Sequence, residues 1–284
     1  MIICLHASYT NNTFICKPRT MAKREKTMAT PLKADMESED RYRAPALDKG
    51  LDILELLSEQ PGGLTRAEIV KAMGRSPGEV YRMVERLVAR NYVSRSLEGD
   101  RYALTMKLFS LAHRHPPLRR LVAPAQPLMD AFARETRQSC HLVVREADAA
   151  VVVAHASCPG NWEFGLRIGA PIDLVATSSG QTLLAFASPA IMEDLLARWD
   201  DPDKQKSFQA IKSHLAEYRQ QGHRIGDSQE VRGIEDVSVP ILSPERHAVA
   251  VLTCPFVHRL DSVEGGIDDA LRLLKEVADK LSFL

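Results

Sequence analysis

Excess charge of one sign, paired cysteines and long apolar runs are all missing from this 284-residue chain, and each absence excludes a class of protein. Lys plus Arg equals Asp plus Glu at 37 each, so no global basic field advertises a nucleic-acid partner and any such site must be local. No uninterrupted apolar run approaches the ~20 residues of a membrane span, which excludes a membrane partner of that kind. The mildly apolar start, Met1 to Cys16, has no basic segment ahead of it and is interrupted by Asn11 and Asn12, so a signal peptide is not expected and a cytoplasmic protein is. Cys4, Cys16, Cys140, Cys158 and Cys254 are scattered, with no C-x-x-C and no histidine at ligand spacing, which argues against a disulfide framework and a metal site. The patterns G-x-S-x-G and H-E-x-x-H and the phosphate loop are absent, and His141, His155, His214, His223, His247 and His258 are dispersed. No enzyme and no cofactor are therefore expected.

What is present is an ordinary globular composition, 45% hydrophobic and 26% charged, in a chain long enough for two domains. Residues 1–44 mix charges without periodicity and read as a disordered N-terminal extension. Met21, Met28 and Met36 leave a later translation start open, and a basic arm touching DNA is the alternative reading.

Between Pro45 and Leu104 the pattern becomes specific. Leu47, Leu51, Leu54 and Leu57 recur at helical spacing, widened by Ile53, and Pro61-Gly62-Gly63 ends the run. Thr65-Arg66-Ala67-Glu68 has capping-box form and opens a short helix closed by Gly74. Ser76-Pro77-Gly78-Glu79 has the same form and opens a longer helix to about Asn91. At 100° per residue Val80, Val84, Leu87 and Val88 gather on one side of it, with Glu79, Arg82, Arg86 and Arg90 opposite. Such an arginine row repels itself unless something negative meets it; a solvated face with local Glu79 and Glu85 pairing is the bland alternative. The strands Tyr92 to Arg95 and Arg101 to Leu104 about Leu97-Glu98-Gly99-Asp100 complete a winged helix-turn-helix, whose partner is double-stranded DNA. From Arg66 to Arg101 there are eight basic and five acidic residues, against one Lys and four acids from Leu47 to Glu59. Arg75, Arg82, Arg86, Arg95 and Arg101 are the phosphate or base candidates, and Gly78 and Glu79 stand where base edges are met, although Glu79 also suits a cap. Arg66, Ser76 and Tyr81 complete the candidate DNA-binding set; Tyr81 borders the apolar side and also reads as core.

Beyond Leu104, Thr105 to Arg114 is helical in pattern, and His115-Pro116-Pro117 breaks it before a second helix, giving a jointed linker. Cys140 to Val144, Ala150 to His155, Phe164 to Ile172, Val237 to Leu242 and Ala248 to Thr253 read as strands of an antiparallel sheet. Helices over Gly180 to Ala187, Pro189 to Arg198, Lys204 to Gly222 and Ile267 to Leu281 surround it. The C-terminal helix, with Ile267, Leu271, Leu274, Ala278 and Leu281 on one stripe, suits core or a partner helix.

At this point the residues resemble a known family. Ala46 to Leu54 (ALDKGLDIL), Val80-Tyr81-Arg82 with Leu87-Val88, Asn91-Tyr92-Val93, Ala176 to Phe186 (ATSSGQTLLAF) and Gly233 to Ile241 (GIEDVSVPI) are similar, in order, to stretches of the IclR family of bacterial transcription regulators. The likeness spans nearly everything after Pro45. It implies a GAF-like domain that binds a small organic metabolite as effector, a homodimer formed through the DNA-binding half, and often a dimer of dimers on a palindromic operator. The expected fold class is therefore α+β: a winged helix-turn-helix over 45–104, a helical linker over 105–120, and over 121–284 a GAF-like effector-binding domain whose antiparallel sheet is flanked by helices. A C-terminal domain that only oligomerises and binds no ligand is the alternative.

Independently of the family, Ser178-Ser179-Gly180 opens an apolar helix, where free N–H groups suit a carboxylate, an ordinary Ser cap being the alternative. The chain also departs from the family. Asp236 stands where many members have a cysteine, Gly226-Asp227-Ser228-Gln229-Glu230 where they carry acids, and Leu252 and Cys254 where small hydroxyls are common. The effector candidates are Leu166, Ser178, Ser179, Gly180, Asp227, Asp236, Leu252 and Cys254. Asp236 is expected to face the cavity and receive hydroxyl or amine donors; a strand-end surface Asp is the alternative.

Overall fold

The computed structural model describes residues 44–97, 100–160, 164–258 and 266–282. The expected N-terminal extension, up to residue 43, and Glu98 and Gly99 of the wing turn lie outside them. The chain divides into two compact units between Thr105 and Met106.

In the first unit, helix α1 (Pro45–Ser58), strand β1 (Leu64–Thr65), helices α2 (Arg66–Met73) and α3 (Pro77–Ala89), and strands β2 (Val93–Arg95) and β3 (Arg101–Leu104) follow in order. The Thr65 capping box closes in both directions, and Gly74 ends α2 in the left-handed conformation. Asn91, at φ 60°, ends α3 in a Schellman arrangement, with Asn91 N–H bonded to Val88 O and Tyr92 N–H to Leu87 O. Ile53, Leu57, Ile69, Val80, Val84, Val93 and Tyr102 form the core. β1, absent from the sequence reading, pairs with β3 and makes the wing three-stranded, in the order β1-β3-β2. Three further expectations are corrected. Leu47 and Leu51 are 60% and 47% exposed, because the buried stripe of α1 runs through Ile53 and Leu57. Tyr81 is 43% exposed rather than core, with the Arg66 guanidinium 4.7 Å above its ring. The second capping box is half formed: the Ser76 hydroxyl donates to Glu79 (2.8 Å) and does not accept from the helix.

In the second unit, α4 (Lys107–Arg114) and α5 (Pro116–Thr136) meet at His115. α5 continues through Pro124 and Pro127, since Ala125, Met129, Phe132 and Ala133 anchor its far half in the core. A boundary at 120/121 therefore falls inside a helix. Strands β4 (Cys140–Glu146), β5 (Ala149–Ala156) and β6 (Pro171–Ile172), helices α6 (Ser178–Ala185), α7 (Pro189–Arg198) and α8 (Pro202–Gln221), strands β7 (Arg224–Asp227), β8 (Ile234–Leu242) and β9 (Ala248–Val257), and helix α9 (Ile267–Ser282) follow. All six strands pair antiparallel in the order β6-β5-β4-β9-β8-β7. α5 and α9 cover one face of the sheet, and α6, α7 and α8 cover the other. Of the expected strand from Phe164 to Ile172 only Pro171–Ile172 pairs as one, because Gly169 turns to φ 86° just before it. β7 was not foreseen in the sequence. Among the described residues, no helix is long and apolar enough to cross a membrane.

Candidate functional site

The candidate DNA-binding face is assembled by ties that commit some charges and leave others outward. Lys49 of α1 donates to Glu79 (2.5 Å), and this bond, with those from Ser76, holds the Glu79 carboxyl down at about 2. Glu79 thus staples the start of α3 to α1, and its carboxylate is already engaged before any cytosine is offered. Arg101 donates from Nε to Gly62 O (3.1 Å) and from Nη2 to Gly63 O (3.0 Å), with Glu68 at 3.8 Å, so it clamps the turn after α1 rather than reaching outward. Arg66 donates to the Tyr102 hydroxyl (3.4 Å), Arg75 pairs with Asp52 (3.4 Å), and Arg95 lies over the Tyr102 ring (5.9 Å). Arg82 and Arg86, exposed and one turn apart, have no ion-pair partner among the described residues. Pro77, Gly78 and Tyr81 are exposed beside them at the helix start, where base edges are met in this motif.

The second candidate site begins at Asp173. Its carboxylate accepts the N–H groups of Val175 and Ala176 (2.8 and 2.7 Å), and its carbonyl accepts the Thr177 hydroxyl (2.7 Å). Thr177, not a serine, caps α6 by accepting Gly180 N–H (3.1 Å), which leaves the first N–H groups, those of Ser178 and Ser179, outside the cap. Gly180 is a packing residue: a Cβ there would lie 2.3 Å from Asp173 O.

Beneath this helix start runs a polar rung. Arg224, Ser238, Thr253, His141 and His155 are directly opposed from strand to strand across β7, β8, β9, β4 and β5. Alternation along each strand turns all five toward α6, while their apolar neighbours face α5 and α9. Arg224, 5% exposed, donates to Ser178 Oγ (2.5 Å) and to Gln181 Oε1 (3.0 Å). Ser238 bonds Ser178 (3.0 Å) and Thr253 (2.8 Å), Thr253 bonds Ser179 (2.8 Å), and Ser179 lies 3.4 Å from His141 Nε2. Burial, and then His155 beside it, push the His141 imidazole down to about 3, so it is neutral at physiological pH.

Asp236 lies one layer along from the rung and lines, with His141, Leu166, Ser178, Ser179 and Thr253, a cavity of about 30 Å³. Burial raises its carboxyl to about 6 against the opposing pull of Arg224. A larger groove of about 520 Å³, on the α5 and α9 side, is lined by Leu118, Leu121, Val144, Val153 and Leu281 and holds none of the candidates.

The structure therefore brings Leu166, Ser178, Ser179 and Asp236 together, with Gly180 behind them. Leu252 and Cys254 are corrected: both are fully buried against α5 and α9, because the strand alternates and Thr253 between them is the inward hydroxyl. Asp227 is exposed at the end of β7 and does not line the cavity. Sequence reasoning missed Arg224, Ser238, Thr253, His141 and His155. The available signal was a lone polar residue inside strands buried on both faces, as in Val237-Ser238-Val239 and Leu252-Thr253-Cys254.

Residues 46–96 match the IclR helix-turn-helix domain, and residues 118–283 match the C-terminal domain of the bacterial transcriptional regulator IclR. The chain belongs to the IclR family. It is 26% identical over 229 residues to the HTH-type transcriptional regulator XynR of Escherichia coli K12, covering 79% of this chain and 88% of XynR. The regulator KdgR of the same organism is 26% identical over 239 residues, covering 82% and 90%. Among solved structures, Thermotoga maritima IclR superposes with a TM-score of 0.66 at 24% identity over 84% of this chain and 97% of that one. An IclR homolog of Microbacterium hydrocarbonoxydans complexed with 4-hydroxybenzoate gives 0.68 at 22% identity over 84% and 98%. As an IclR-family member the chain is a DNA-binding transcriptional regulator, not an enzyme.

Proposed function

We propose that this IclR-family regulator binds a palindromic operator as a homodimer and that a small organic acid in its C-terminal domain changes its affinity for that operator. Arg82 and Arg86 contact phosphates along the groove, the exposed turn from Pro77 to Tyr81 meets base edges, and Arg75 and Arg95 flank them. The exposed Leu47 and Leu51 of α1 supply an apolar patch for the dimer contact.

The observation that carries the effector reading is the polar rung beneath the start of α6. A row of hydroxyls, imidazoles and one buried guanidinium lies inside an otherwise apolar core, facing two uncapped N–H groups. Buried polar groups cost stability unless they are paired, and a carboxylate at a helix start is favoured by the N–H groups and the dipole. The Microbacterium homolog was solved with 4-hydroxybenzoate, which supports an acid of that size class for this chain as well. The cavity, at about 30 Å³, has room for about two waters, so the acid enters by displacing the irregular segment 164–170 that carries Leu166.

The test begins with selection of an operator from random oligonucleotides by the full-length protein. Operator affinity at fixed salt is then measured with and without each member of a panel of two- to eight-carbon carboxylic acids. At least one acid is expected to shift operator affinity fivefold or more. If no acid raises the melting temperature or moves operator affinity, the C-terminal domain serves assembly alone and this reading fails.

A further inference from the structure

The groove of about 520 Å³ lies on the face of the sheet opposite the α6 cavity and shares no lining residue with it. Its volume falls within the roughly 300 to 1,000 Å³ of small-molecule sites. It opens where the helical cover ends. α5 lines it only with its first turns, Pro117 to Pro124, and α9 only with Leu281, while the sheet continues beneath them to Glu146 at the end of β4. Leu121, Val144 and Val153 are therefore packed against the core on one side and open on the other, and Val249 is 50% exposed. Contiguous apolar surface of this kind favours whatever removes it from water.

The polar residues of the groove select what that is. Arg120, Arg145 and His115 line it against a single carboxylate, Glu146, which is exposed. One Arg145 N–H is committed to Ala147 O (2.7 Å). Arg120 is exposed and has no hydrogen-bond or ion-pair partner among the described residues. A guanidinium presents a planar fork of N–H donors that matches a carboxylate, so an uncharged apolar molecule leaves the fork unused and a cation is repelled by it. A second copy of this chain offers Leu108, Phe109 and Leu111, all exposed on α4. The same helix carries Lys107, His113 and Arg114 and no acid, so its charges oppose those of the groove.

We infer that this groove is a second ligand site, which binds an apolar monocarboxylic acid. The hydrocarbon body lies against Leu121, Val153 and Val249, and the carboxylate pairs with Arg120. The inference stands apart from the effector reading, because it uses the other face of the sheet and none of the residues beneath α6.

The experiment is calorimetry on the full-length protein with straight-chain acids from acetate to decanoate, below their micelle concentrations. Decanol and decyltrimethylammonium serve as the uncharged and cationic matches to decanoate. One decanoate per chain is expected, with affinity rising about twofold to fourfold for each carbon added to the acid. Decanoate is expected to bind tenfold or more tighter than decanol or decyltrimethylammonium. Arg120→Glu, at an exposed position, removes the preference for decanoate over decanol. Val249→Glu, also exposed, places a carboxylate against the hydrocarbon body and weakens decanoate tenfold or more. Circular dichroism of both variants confirms the fold. Equal binding of decanol overturns the assignment of an acid, and uptake of many decanoates per chain without saturation overturns the site. Decanoate binding that survives Arg120→Glu and Val249→Glu but falls in Thr253→Val belongs to the α6 cavity and overturns the inference while leaving the effector reading intact. Absence of decanoate binding overturns it whatever the shorter acids do. In that event, an oligomer split by Val249→Glu in sedimentation velocity makes the groove an interface between copies, and decanoate binding gained on deleting Phe283 and Leu284 makes the chain's own end the occupant.

Discussion

Replacing Arg82 and Arg86 together by glutamine removes the two outward cations of α3 while leaving its buried face, Val80 and Val84, untouched. Each phosphate neutralised contributes about 0.9 to the slope of log affinity against log salt. In the proposed dimer each arginine occurs twice, so Arg86→Gln alone removes about two phosphate contacts and flattens the slope by about 1.8. At about 0.15 M salt the same counterion release corresponds to roughly a thirtyfold loss of affinity, and the double variant loses on the order of a thousandfold. Because phosphate contacts carry no sequence information, the loss should be nearly equal on operator and random duplex. Fluorescence anisotropy titrations of wild type and both variants from 50 to 300 mM salt read the slope directly, with circular dichroism confirming an intact fold. An unchanged slope together with unchanged affinity would refute the assignment of this face to DNA.

Other expectations follow from the ties described above. Glu79→Gln replaces the ion pair with Lys49 by a weaker neutral acceptor and should weaken operator binding without altering the preferred base at any position; a changed preference in a repeat oligonucleotide selection would mean that Glu79 reads a base. For Asp236, burial raises the folded carboxyl from 3.8 to about 6, so between those values the native state holds a proton that the unfolded chain has lost. Stability contributed by this group therefore falls as pH rises through that window. Asp236→Asn should remove the fall, gaining about 1 to 2 kcal/mol at pH 7.5 after discounting for the part of the carboxyl open to water, and denaturant melts at pH 4.5 and 7.5 measure it. Gly180→Ala drives a methyl into Asp173 O and should cost more than about 2 kcal/mol, read as a lower midpoint in urea. Leu252→Ser should destabilise by about 3 kcal/mol without touching ligand affinity, whereas Thr253→Val should lower ligand affinity and cost about 1 to 3 kcal/mol by leaving Ser179 and Ser238 short of a partner; an unchanged affinity in Thr253→Val with a lowered one in Leu252→Ser would return Leu252 to the cavity.

The DNA-binding half was legible because its signals are local. Thr65 and Glu68, Gly74, Pro77 and the two strands of the wing each act within a few residues, and the caps and the helix wheel follow from spacing alone. What failed there was long-range: Lys49 reaching Glu79 across 30 positions, and Arg101 turning back to Gly62 and Gly63 across 39 and 38. The C-terminal half was legible as strands and helices, while its candidate site was read one residue out of step in β9. Leu252 and Cys254 share a face by alternation, and only the pairing of Thr253 with Ser238 and His141 settles which face that is. The polar rung is invisible to periodicity because its five members come from five strands and align only through register. The segment from Phe164 to Ala170 leaves the sheet because Gly169 adopts a turn conformation and the backbone near Gly165 instead covers His155.

The proposed coupling between effector and operator is open to one decisive measurement. By linkage, an acid that alters operator affinity must have its own affinity altered by the operator in the same ratio. Calorimetric titration of the most strongly stabilising acid into free protein and into the protein–operator complex, at one salt concentration, should give dissociation constants that differ fivefold or more, matching the ratio of operator affinities with and without that acid. Identical constants in the two titrations would contradict effector control of this regulator.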